Sequence, residues 1–178
     1  MTNPPRFFGR SFLSTRQVDW AAVYQEHLPR IYNYFRYHVG DARVAEDLTA
    51  ETFEKAWKNR HQYRNDLAAF STWLFTIARH LVADHFRRSR DEIPLEYVVN
   101  ISEDETLENL IQRRSDVEKL TGLLAQLSER DRELIALKYG AGLTNRKIAQ
   151  LQGMSESNVG TILHRVMQQL RAAWEKRS

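Results

Sequence analysis

TNRKIAQLQGMSESNVGTILHRVMQQL, residues Thr144 to Leu170, has the spacing of two short helices crossing at a tight turn. Thr144 is placed to cap the first helix, with Ile148, Ala149 and Leu151 on its inner side. Ala149 is small enough for a close crossing, and Gly153 supplies a turn conformation that other residues adopt at a cost. Ser155 caps the next helix, whose Val159, Ile162, Val166 and Leu170 face inward. That leaves Ser155, Ser157, Asn158, Thr161, His164, Arg165 and Gln168 on or near the outer side, where they can bond base edges or phosphates in a major groove. Arg146 and Lys147 on the preceding helix are placed to grip the backbone. A plain helical hairpin with a solvated face has the same spacing. The basic tail, Arg165, Arg171, Lys176 and Arg177 against Glu175, favours nucleic acid.

Helical spacing extends through the rest of the 178 residues, with 7 glycines, 4 prolines and no sustained period-two alternation. The fold class is all-α: two small helical domains joined by a flexible acidic linker. Residues 1–17 form a tail and 18–90 a first helical domain. Residues 91–116 are the linker, in which eight acids against two bases leave a net charge of −6. Residues 117–178 form the second domain, and some of the linker from Leu107 onward is expected to be helix already. In the first domain Asp19 caps a helix that Gly40 and Asp41 end; a second runs from Ala42 to Arg60 and a third from Ala69 to Arg88. Three amphipathic helices suffice to close a small core. Ser128 and Asp131 mark a further helix start.

The first domain also carries cations among aromatic rings. Tyr63, Arg64, Asn65 and Asp66 precede Phe70 and Trp73, and the third helix ends in Arg79, His80, Asp84, His85, Arg87 and Arg88. Single-stranded DNA needs rings that stack on bases and charges that hold phosphates. Phe70 and Trp73 are better read as core, and the terminal arginines alone would suit a helix C-terminus.

Taken together, these segments resemble the extracytoplasmic-function (ECF) sigma factors, over about Asp19 to Trp174. Asp47 to Trp57, DLTAETFEKAW, resembles the family's docking segment for the clamp helices of RNA polymerase. Tyr63-Arg64, then Phe70 to Leu74, Ile77 to His80 and Asp84 to Arg88 resemble its minus-ten-reading helix and preceding loop. Leu127 to Arg132, Ile148-Ala149 and Ser157 to Thr161 resemble region four, which reads the minus-thirty-five element. The resemblance implies that Asp47, Leu48, Glu51, Phe53 and Trp57 bind core polymerase, through the largest-subunit clamp helices and the second large subunit. It implies that Tyr63, Arg64, Asn65, Asp66, Arg79, His80, Arg87 and Arg88 take the melted minus-ten strand, and that the helix-turn-helix takes the upstream duplex. An anti-sigma factor is the further partner it implies, with cytoplasmic location. Two departures stand out: Ala50 where the family commonly has glutamine, and His80 where it often has asparagine at a base-capturing position. In the recognition helix, Leu163 and His164 stand where relatives often carry more polar or basic groups.

No enzyme, metal or cofactor signature is found. Cysteine is absent, His80 and His85 sit five apart, and no glycine-rich phosphate loop occurs. No apolar run approaches the roughly 20 residues that span a bilayer, so no membrane insertion is expected. The alternative is a helix-turn-helix regulator with an N-terminal dimerisation or sensing domain, which would not need the Asp47–Trp57 segment beside an aromatic-basic helix.

Overall fold

The computed structural model describes residues 19–64, 68–88 and 107–176, with the side chains of 107–113 left aside. Helix α1 spans Trp20–Val39, and the Asp19 carboxylate accepts from the amides of Ala21 and Ala22 at its start. Gly40, at φ 83°, ends it in a conformation that favours glycine. Pro29 lies inside α1 and removes one backbone donor, tolerably, because the residue is exposed. Asp41 then caps α2, Ala42–Lys58, and a 3₁₀ turn at Arg60–Gln62 follows. Helix α3 is Phe70–Arg88.

Helix α4, Leu107–Ala125, begins inside the expected linker and runs well into the second half. Asn65, Asp66, the tail and residues 91–106 of the linker lie outside the described residues. Ser128 caps α5, Glu129–Ile135, by accepting from the Asp131 amide, and the chain continues through a wider π-helical turn, Ala136–Gly140. Thr144 caps α6, Asn145–Gln152, Gly153 turns the chain at φ 65°, and Ser155 caps α7, Glu156–Glu175.

Helices α1, α2 and α3 bury Ile31, Phe35, Ala45, Leu48, Phe53, Leu74, Phe75 and Ala78 between them. The second half buries Leu134, Leu137, Ile148, Val159, Leu163 and Val166. The two cores merge, because α1 packs along the π turn as well as along α2. An interface this continuous is not visible in the periodicity of either half.

One polar residue inside this core sets a pH dependence. His27 is buried against Phe70, ring centroids 5.9 Å apart, and its Nδ1 has no hydrogen-bond partner. Burial lowers its pKa, with Glu26 pulling the other way and Arg30 and Lys147 adding to the depression. The unfolded chain therefore takes a proton that the folded chain refuses as pH falls below about 6.5. Stability should drop through that range, and His27→Leu should flatten the slope of Tm between pH 7 and 5.5. An unchanged slope would assign the dependence to other groups.

Candidate nucleic-acid and polymerase interfaces

The outer face of α7 assembles as its spacing requires. Ser157, Asn158, Thr161, His164, Arg165 and Gln168 are all exposed, while Val159, Leu163 and Val166 are buried on the opposite side. Leu163, a position the resemblance singles out for base preference, is a core residue and presents nothing to DNA. Ser155 uses its hydroxyl to accept from the Asn158 amide, so its part in any anion site is shared with capping. Arg146 and Lys147 project from the first turn of α6, exposed beside this face. Arg165 is held from behind: its Nη2 donates to both Asp131 oxygens, at 2.8 and 2.9 Å. Asp131 is the third residue of the Ser128-capped turn, so one short helix start both ends a loop and orients a candidate DNA contact.

On α2 the segment that resembles the family's docking stretch splits into two faces. The sequence assigns Leu48 and Phe53 to the polymerase surface, but the structure buries both. Their side chains hold α2 against its neighbours and are unavailable to a partner here. Asp47 is exposed, Glu51 is half-buried and pairs with Lys55 at 3.0 Å, and Trp57 is half exposed. Trp57 meets Trp20 edge-on at 5.2 Å, and the Arg60 guanidinium lies 4.3 Å from its ring centre. Departure Ala50 lines an apolar groove of about 390 Å³ with Tyr24, Leu28, Pro29, Tyr32 and Thr49.

The aromatic group at the start of α3 is packed rather than open. Tyr63 contacts Phe70 and Trp73 at 5.2 and 5.3 Å, and its hydroxyl donates to the Ala68 carbonyl at 3.2 Å. Burial raises its pKa. Phe70 and Trp73 are partly buried core, as the residue types imply. Arg87 and Arg88 are exposed at the end of α3, Arg87 paired with Asp84 at 2.7 Å, and Arg64 is exposed.

Arg79 and His80 have different surroundings. His80 is exposed and lines an open cleft of about 600 Å³ between the halves, with Arg79, Ser128, Arg130 and Glu133. Arg79 is already engaged: Nε donates to Glu133 at 2.8 Å, Nη1 to the Leu151 carbonyl at 2.6 Å and Nη2 to Gln152 at 3.2 Å. The other Glu133 oxygen accepts from the Tyr34 hydroxyl at 2.9 Å and lies 2.8 Å from His38 Nε2. Burial alone would raise the Glu133 carboxyl. The His38 hydrogen bond and electrostatic pull, the Arg79 charge and the Tyr34 hydroxyl outweigh it and hold its pKa below the usual range. Burial, then the charge of Glu133, pushes the Tyr34 hydroxyl well above its ordinary value. The sequence reading misses this hub. Its one local trace is Tyr34 and His38, one turn apart on the buried side of α1; nothing near Glu133 marks their partner.

Residues 23–92 match Sigma-70 region 2, and residues 118–170 match Sigma-70, region 4. The chain is 31% identical over 156 residues to the ECF RNA polymerase sigma factor BldN of Streptomyces coelicolor, covering 83% of this chain and 57% of BldN. It is 34% identical over 145 residues to the ECF RNA polymerase sigma factor ShbA of Streptomyces griseus, covering 77% of this chain and 75% of ShbA. The fold is that of the sigma factor RpoE from Bartonella quintana, solved with the anti-sigma factor NepR: TM-score 0.71 at 21% identity, over 88% of this chain and 97% of RpoE. With a polar exposed face on α7, Asp47 and Trp57 exposed on α2 and both matched regions in the expected order, the chain belongs to the ECF RNA polymerase sigma factors, a family that directs promoter-specific initiation and is not an enzyme class.

Proposed function

We propose that this chain brings core polymerase to promoters by holding them at two places. The observation that carries the reading is that one chain presents an acidic and aromatic face on α2, a basic end on α3 and a polar face on α7. Asp47, Glu51 and Trp57 anchor the clamp helices of the largest subunit. Arg87 and Arg88 hold the displaced strand, with Tyr63, Arg64, Asn65 and Asp66, which precede α3 in the sequence. His80 accepts an extruded base, which captures transient opening because unstacking costs only a few kcal/mol. The face from Ser155 to Gln168, with Arg146 and Lys147, holds the minus-thirty-five duplex. Work of this kind takes place in the bacterial cytoplasm. An anti-sigma protein is the expected inhibitor, as NepR binds RpoE of Bartonella quintana.

Run-off transcription with purified core and a promoter library tests the reading. Specific initiation is expected. Core binding without initiation would favour an adaptor, and DNA binding with no affinity for core would favour an ordinary regulator.

Arg165→Ala should weaken binding to a minus-thirty-five duplex and reduce the slope of log K against log salt by about 0.9, the share of one phosphate contact. A slope equal to wild type, with base preference intact, would remove Arg165 from the contact surface.

A further inference from the structure

Glu133 is a side chain through which α5 grips both α1 and α3. It takes bonds from Tyr34 and Arg79 and contacts His38, all within 2.9 Å, and Gln152 donates to it at 3.2 Å. Its side chain is only 12% exposed, so this charge has little water to fall back on. Arg79 is equally committed, with Nε, Nη1 and Nη2 each bonded to the second half of the chain. Three of its five N–H donors are taken, which leaves little of the guanidinium fork for a phosphate, and an approaching phosphate would meet the carboxylate 2.8 Å from Arg79. His80, the next residue, opens into the same cleft beside Arg130 and Ser128. A strand seated along this part of α3 would need the space that α5 and α6 now occupy.

We propose that Glu133 is a latch: it holds the two halves closed by occupying Arg79, and release of that pair exposes Arg79 and His80 to promoter DNA. The proposal rests on the reading of α3 as a strand-binding helix. Arg79 has two mutually exclusive partners, the carboxylate of its own chain and the phosphates of the promoter. The desolvation cost of a buried ion pair offsets much of its Coulombic gain, so the pair can hold the closed form without making it irreversible. Only the closed fraction is silent, and apparent affinity for DNA scales with the open fraction.

The test uses the full chain, whose lack of cysteine allows spin labels at Lys58→Cys on α2 and Ala172→Cys on α7, both exposed. Glu133→Gln keeps the side-chain shape and removes the charge that holds Arg79. It is expected to broaden and lengthen the inter-label distance and to tighten binding of single-stranded minus-ten DNA by about tenfold. Arg79→Ala should cost little affinity in the wild-type background and most of the gain in the Glu133→Gln background. Gln152→Ala removes one of the bonds to Arg79 and the longest of those to the carboxylate while leaving the Glu133–Arg79 pair in place, and should shift both readouts in the same direction by less. Unchanged distances, with Arg79→Ala equally harmful in both backgrounds, would overturn the latch and leave the DNA reading of Arg79 standing. Lengthened distances with no gain in affinity, and no effect of Arg79→Ala in either background, would overturn the DNA reading and the proposal with it.

Discussion

Gly140→Ala is expected to lower stability by about 3 kcal/mol, at the upper end of the overpacking range, and Tm by roughly 6–12 °C for a chain of this size. A Cβ at this position would lie 2.7 Å from the Asn33 carbonyl oxygen, 3.0 Å from its carbon and 3.1 Å from Tyr34 Cα. All three are backbone atoms of α1, so no side-chain rotation relieves the clash. Helix α1 and the π turn must move apart, and with them the two halves of the core. Gly140 is glycine for closeness, since its φ is not positive. Gly142 provides the control. It sits at φ 65°, and a methyl group added there would have no neighbour within 4 Å, so Gly142→Ala meets only the left-handed backbone penalty, about 1–2 kcal/mol. Thermal melts of the two variants should rank Gly140→Ala as the more harmful, and equal losses would show that the halves do not depend on this contact.

That contrast marks what a sequence can and cannot reveal here. The caps Asp19, Ser128, Thr144 and Ser155 and the turn at Gly153 are legible because each acts within four residues of itself. The outer face of α7 is legible for the same reason, helical period alone separating Arg165 from Val166. Glu133 is illegible because Tyr34 lies 99 residues before it and Arg79 lies 54 before it. Neither periodicity nor capping carries information over that distance. Arg79 is the instructive case. Its position in a basic helix end points to a nucleic acid, yet its three donors meet the chain itself, and only the packed arrangement of the halves tells the two apart. Tyr139 shows the opposite limit: it follows the buried Leu134, Ile135 and Leu137 in the sequence, yet it lies in the π turn and is 47% exposed.

Trp57→Ala and Phe53→Ala, four residues apart on α2, should fail in different ways. Phe53 is 9% exposed and tilts against Tyr24 at 4.8 Å, so its truncation should cost about 3–5 kcal/mol of stability through the cavity it leaves. Polymerase binding would then fall only because less chain is folded. Trp57 is 50% exposed, so little of its ring supports the core beyond one edge-on contact with Trp20. Its truncation should cost about 1 kcal/mol of stability. An exposed aromatic ring near the end of a helix that also exposes Asp47 has the character of an interface anchor, whose loss typically costs about 2 kcal/mol or more, roughly thirtyfold in affinity. Titration of labelled core polymerase at a temperature where both variants remain folded separates the two effects. Phe53→Ala should then bind within a few-fold of wild type and Trp57→Ala should not. If Trp57→Ala bound core as tightly as wild type, the docking face would have to lie elsewhere on α2, and the apolar groove floored by Ala50 would be the next surface to change.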